Sequence, residues 1–292
     1  MRPTRAPALP FALLLTLLAP ACGAPASVAA RGEIADEVRA AIDRGRGTFD
    51  HAAWGALLVG GTRDGLVDYR WFQAHRAELD AYLDRVATVG LTALSGPQLE
   101  ALLINAYNAL TIRSILDNPS VGSIREIPGV WDKRLHRVGG HDLTLDAIEH
   151  NLLRPFYKDP RIHFAVNCAS MSCAPLASSA WEGDRLDAQL DAAARRFLTD
   201  PRQVRVEGGT LHLSSYFKWY GGDFTAEGWR PRAGSIPGFV AAYAIPDVET
   251  AIHDAGGEMK IEFLDYDWKL NASVAPDPTR TPPAVTSPRA GS

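Results

Sequence analysis

Cysteine is scarce in this chain, with three in 292 residues. That is too few for a disulfide-built scaffold or for a zinc site made from four thiolates. Excess positive charge is also missing: the formal net charge is −4. No basic footprint for nucleic acid is therefore present. Only one stretch is apolar enough to enter a membrane, at the very start of the sequence. With 46% hydrophobic and 22% charged residues, the remainder has the composition of an ordinary folded protein.

Arg2 and Arg5 precede an apolar run from Phe11 to Leu18, and small residues follow. This order predicts a secretory signal peptide over residues 1–21, too short for a stable membrane span. The segment from Leu18 to Cys22 is similar to a bacterial lipoprotein signal, with Cys22 as the lipidated residue and Pro20 out of pattern. Cleavage near Ala29 or Ala30 is the alternative. Either route predicts an exported protein, periplasmic or held at the outer membrane by a lipid. Residues 22–32 read as a tether, 33–272 as a single domain, and the proline-rich stretch 273–292 as a disordered tail.

Helical periodicity is present over Gly32–Arg44, Tyr69–Val86 and Leu186–Leu198. The stretch Gln98–Asp117 is apolar on nearly every side, as expected of a buried central helix. Gly139-Gly140 and Gly208-Gly209 each join two short alternating runs, which predicts two β-hairpins. A short helix is expected over Leu145–Leu153, a buried strand over Arg161–Asn167 and a late strand over Met259–Leu264. Helices dominate the first half, with hairpins and a small antiparallel sheet in the second. The fold class is α+β.

Some residues fit a plain core poorly. Asn105 and Asn108 are neighbours on one face of the apolar helix and must find partners there. They either tie loops to the core or line a polar pocket and orient a catalytic group. Glu149 and His150 end a short helix whose Asp146 lies one turn earlier, placed to hold the imidazole. The Arg161–Asn167 segment delivers Cys168 into a loop of small residues, a good way to present a nucleophile. His150 and His163 are both candidate partners. Competing readings are a Cys168–Cys173 disulfide, two unreactive thiols, or zinc held with His163. The aromatic segments Phe217–Tyr220 with Asp223, and Tyr266–Trp268, read as core or groove wall.

These motifs together resemble the family catalogued as domain of unknown function 547. The resemblance rests on Asn105–Thr111, Ile148–His150 with Leu153-Arg154, Asp159–Cys168, Ser172-Cys173, Phe217–Tyr220 with Asp223-Phe224, and Tyr266–Trp268 with Leu270-Asn271. It implies an uncharacterised protein of a family with many exported bacterial members. It further implies that Cys168 with Glu149-His150 is a better site than any pair using Cys173 or His163, and that a 168–173 disulfide is not general. The reading that follows is a thiol-dependent acyl transferase or amide/peptide hydrolase. Cys168 is its nucleophile, His150 its base, and Glu149, Asn105 or Asn108 orient the imidazole or the oxyanion. Tyr107, Arg154, His163, Asn167, Cys173, Trp219 and Asp223 complete the candidate site. No cofactor or metal is expected, and the partner expected is a small molecule or peptide. A non-catalytic binding module or thiol–disulfide exchange are the alternatives.

Overall fold

A computed structural model describes residues 32–273. The expected signal peptide, Cys22 and most of the tail lie outside the described residues. Among those described, no helix is long and apolar enough to cross a membrane.

The chain opens with α1 (Gly32–Arg44) and α2 (Ala52–Gly61), then a two-residue hairpin of β1 (Thr62–Arg63) and β2 (Leu66–Val67). The helix expected over Tyr69–Val86 is two, α3 (Tyr69–Ala74) and α4 (Arg76–Thr88). The break is at His75, whose ring stacks on Trp71 at 3.8 Å while its backbone N–H and Nδ1 turn to the Trp71 carbonyl.

The central helix α5 (Gly96–Leu116) starts with proline in its first turn, where a missing N–H costs nothing. Nearly every residue of it is buried. It packs against α1, α3 and α4, which explains its lack of an amphipathic stripe.

β3 (His136–Val138) and β4 (His141–Leu143) pair across Gly139-Gly140, both at positive φ. β5 (Val204–Glu207) and β6 (Thr210–Leu213) do the same across Gly208-Gly209. These are the conformations that two-residue hairpin turns require and glycine accepts. β7 (Lys260–Phe263) then joins β6 in parallel. The hairpins are antiparallel, and the fold is helix-rich α+β with small sheets.

The buried strand expected over Arg161–Asn167 is a correction. Pro160–Phe164 forms a turn of 3₁₀ helix. Asp159 caps it, accepting from the Arg161 N–H at 2.8 Å, and the Arg161 guanidinium is gripped by Asp159, Asp187 and Asp191. A short apolar run does not by itself separate strand from buried helix. Here the cap and the guanidinium fork decided it.

α6 (Arg154–Tyr157) and α7 (Leu186–Leu198) follow, then four short helices, α8 (Tyr216–Trp219), α9 (Gly221–Thr225), α10 (Ile236–Ala241) and α11 (Pro246–Asp254). The apolar residues form two clusters. One surrounds α5, and the other gathers Phe164, Phe197, Phe217, Phe224 and Phe239. The segment carrying the cysteines contributes to both: Ile162, Val166 and Ala169 to the first, Phe164, Cys173 and Ala174 to the second.

Candidate functional site

A cleft of about 290 Å³ opens where the two clusters meet. Seven of the candidate site residues line it, Tyr107, Glu149, His150, Arg154, His163, Cys168 and Trp219, together with Asp146, Tyr220, Tyr266 and Trp268 of the neighbouring motifs.

Cys168 sits on a loop built from amide side chains. Asn108, on α5, accepts from the Asn167 N–H at 2.7 Å and donates to the Ala165 carbonyl at 3.0 Å. Asn167 accepts from the Ala169 N–H at 2.9 Å and donates to the Ala174 carbonyl at 2.7 Å. Asn271 donates to Asn167 at 3.1 Å, and Tyr69 donates to Asn271 at 2.7 Å. This ladder holds Ala169 at φ 58°, a left-handed conformation that costs a residue with a Cβ about 1 kcal/mol or more. Asn105 serves the core instead: it accepts from Trp54 Nε1 and the Trp181 N–H and donates to the Trp181 carbonyl. Asn105 and Asn108 therefore spend their hydrogen bonds on loops. Neither hydrogen-bonds to a histidine, which corrects the imidazole-orienting role expected for them.

Three groups surround the partly buried Cys168 sulfur. Cys173 Sγ lies at 3.0 Å, Tyr266 Oη at 3.1 Å and Ser170 Oγ at 3.3 Å. Both thiols are free. The buried Cys173 sulfur accepts from the Cys168 N–H at 2.9 Å, from the Tyr216 hydroxyl at 3.0 Å and from the Cys168 thiol, and its own S–H is directed at the Val166 carbonyl at 3.9 Å. The hydrogen bond with Cys173 lowers the pKa of Cys168 against the opposing effect of burial, and Ser170 and Tyr266 add to the lowering. Burial pushes the Cys173 thiol the other way, well above the ordinary range. Among the described residues no histidine bonds to the Cys168 sulfur, so the expected resting Cys168–His150 contact is absent.

Glu149 and His150 stand on a wide helical turn, Ala147–Leu153, in which the Arg154 N–H reaches back five residues to the Glu149 carbonyl. Such π turns rotate less per residue than an α-helix, which lets two consecutive side chains share the cleft. His150 Nδ1 lies 3.0 Å from Arg154 Nη1. A guanidinium only donates, so Nδ1 accepts and the imidazole proton belongs on Nε2, 3.9 Å from Asp146.

His163 is arranged differently. Its Nε2 lies 2.8 Å from Asp223, whose carboxylate also takes a bidentate fork from Arg154 at 2.6 and 2.8 Å. Burial raises the Asp223 pKa, but the hydrogen bonds from His163 and Arg154 outweigh it and hold the carboxyl below its usual range. The His163 proton therefore sits on Nε2. Its Nδ1 is buried from solvent without a hydrogen-bond partner, the residue being only 1% exposed, and lies 3.9 Å from a Glu149 carboxylate oxygen.

Cys173, Asn167 and Asp223 stand behind the cleft surface and support it. Among the described residues no trio of histidine, cysteine or acidic groups is placed to hold a metal.

The sequence reading missed Trp131 and Asp132, which come from the loop before β3 and carry no local motif. It also gave Tyr266 and Trp268 no role beyond groove wall. Tyr266 reaches the cysteine across 98 residues of sequence.

Fold and cleft define a helix-rich α+β protein with a partly buried cysteine in a cleft lined by aromatic rings. Residues 91–198 match the model of the family described as Protein of unknown function, DUF547, and the resemblance to that family holds over them. The matched span contains the Asn105, Glu149, Arg154 and Cys168 motifs, while Trp219, Asp223 and Tyr266 lie beyond it. No curated protein and no solved structure gives a significant match.

Proposed function

We propose that this chain is a cysteine- and histidine-dependent acyl transferase or amide/peptide hydrolase of the cell envelope. The supporting observation is Cys168, with Cys173, Ser170 and Tyr266 within hydrogen-bond reach of its sulfur, in a cleft also lined by His163, which Asp223 holds from behind. The leader-like residues before Cys22 support the location. Three neighbours favour the thiolate, so the nucleophile needs no resting bond to a base. The thiolate attacks a carbonyl carbon, a C–S bond forms, the carbonyl C–O or C–N bond breaks, and the departing alcohol or amine takes its proton from solvent. Water or an amine then attacks the thioester. His163 Nδ1 takes the proton from this second nucleophile and the C–S bond breaks, returning the thiolate. His163 suits this role better than His150, because it lines the cleft with an Nδ1 that has no hydrogen-bond partner, whereas the Nδ1 lone pair of His150 is turned to Arg154.

Full-length protein treated with 4-nitrophenyl acetate tests the reading by mass spectrometry. An acetyl group is expected on Cys168, absent in Cys168→Ser. His163→Gln should acylate at a similar rate but deacylate about a hundredfold more slowly. Tyr266→Phe should slow acylation more at pH 6 than at pH 9, because it removes a thiolate donor. Acetylation of Cys168 no faster than in urea-unfolded protein overturns the enzyme and leaves the binding module.

A further inference from the structure

The charge in the cleft is unbalanced. Three carboxylates line it, Asp132, Asp146 and Glu149, against one guanidinium, Arg154. That guanidinium is already matched by both oxygens of Asp223. The pKa of Asp146 is raised, first by burial and then, against His150, by the charges of Glu149 and Asp132. Negative charge therefore exceeds positive charge inside a partly enclosed space.

The rest of the lining is aromatic. Trp268 touches three rings, with centroids at 4.5 Å to Tyr266, 5.9 Å to Trp219 and 6.0 Å to Trp131. Ring faces attract cations, and desolvation strengthens the attraction. Two lining rings already carry guanidinium groups of the protein: Arg154 lies 5.2 Å from Tyr220 and Arg125 5.2 Å from Trp268. His163, which also lines the cleft, has a buried Nδ1 without a hydrogen-bond partner, 3.9 Å from the Glu149 carboxylate of the same lining.

We infer that this cleft selects substrates bearing an ammonium or guanidinium group near the reacting carbonyl or on the attacking amine. The inference deepens the acyl-transfer reading and rests on it for the word substrate. Recognition itself requires only the carboxylates and the rings.

Two measurements keep the two readings separable. The first compares modification of Cys168 by methanethiosulfonates ending in trimethylammonium or in sulfonate. In each the thiolate attacks the sulfenyl sulfur, a disulfide forms and methanesulfinate leaves. The ratio of cationic to anionic rate should exceed that of 2-mercaptoethanol by about tenfold. Asp132→Asn and Trp268→Ala should each lower it about threefold. A ratio equal to that of the free thiol overturns the inference.

The second measurement needs no thiol chemistry. Calorimetry on Cys168→Ser should show binding of benzyltrimethylammonium and none of benzoate. Binding of both or of neither overturns the inference, whatever the fate of the enzyme reading. Faster acylation by 4-nitrophenyl 4-guanidinobenzoate than by the acetate would place the cation on the acyl donor. Faster deacylation with cadaverine would place it on the acceptor.

Discussion

Two donors converge on the carboxylate of Asp223, the imidazole of His163 and the fork of Arg154. Replacing Asp223 with asparagine removes the charge and leaves a partly buried guanidinium whose remaining side-chain acceptor is His150. Breaking a buried pair from one side usually costs about 3 kcal/mol, and that loss is expected in urea unfolding at pH 7. The folded-state pKa of Asp223 lies below the unfolded value of about 3.9. Its contribution is therefore complete above that value and is lost as the pH falls through the folded pKa. Wild type and Asp223→Asn should converge in stability in strongly acid solution. A constant gap from pH 7 to pH 2 would contradict this account.

Glu100 belongs to α5, in the turn facing Asp159 and Arg161. Burial, aided by Asp159 and opposed by Arg161, pushes its pKa up to about 8, and its Oε1 has no hydrogen-bond partner. The folded state thus prefers the neutral acid. Stability is full below the unfolded value of about 4.3 and erodes until the folded pKa is passed. Glu100→Gln should be near neutral at pH 4 and stabilising by on the order of 2 kcal/mol at pH 8, read from urea midpoints. α5 was legible in sequence because its apolar run is long and opens with proline, and the hairpins because their glycine pairs allow few other conformations. Local signals failed where distant partners decide. The Pro160–Phe164 turn depends on carboxylates of α7, the break at His75 on ring stacking, and the roles of Asn105 and Asn108 on loops 57 and more residues away. At the site, residue chemistry named Cys168, His150 and His163 correctly as cleft residues. The choice between the histidines depended on Asp223, 60 positions from His163, which no spacing rule supplies.

At the scale of the molecule, the cysteine segment is shared by both apolar clusters, so neither buries its own surface without it. The two should therefore unfold together. Ile104→Val in the first cluster is expected to cost about 1 kcal/mol, and Phe217→Leu in the second a comparable amount. Each should shift one common urea transition, with tryptophan fluorescence and far-ultraviolet circular dichroism coinciding. Separate transitions, each moved by only one of the substitutions, would show two independent units.

The spread of the cleft along the chain has a consequence for its biosynthesis. Chains emerge from the ribosome amino end first, and the parts fold as they become available. The Cys168 sulfur is made long before Tyr266 and Asn271, which hold its hydroxyl contact and its loop. A growing polypeptide therefore carries Cys168 without these two contacts, and its surroundings are complete only once synthesis has passed the residues that cradle it.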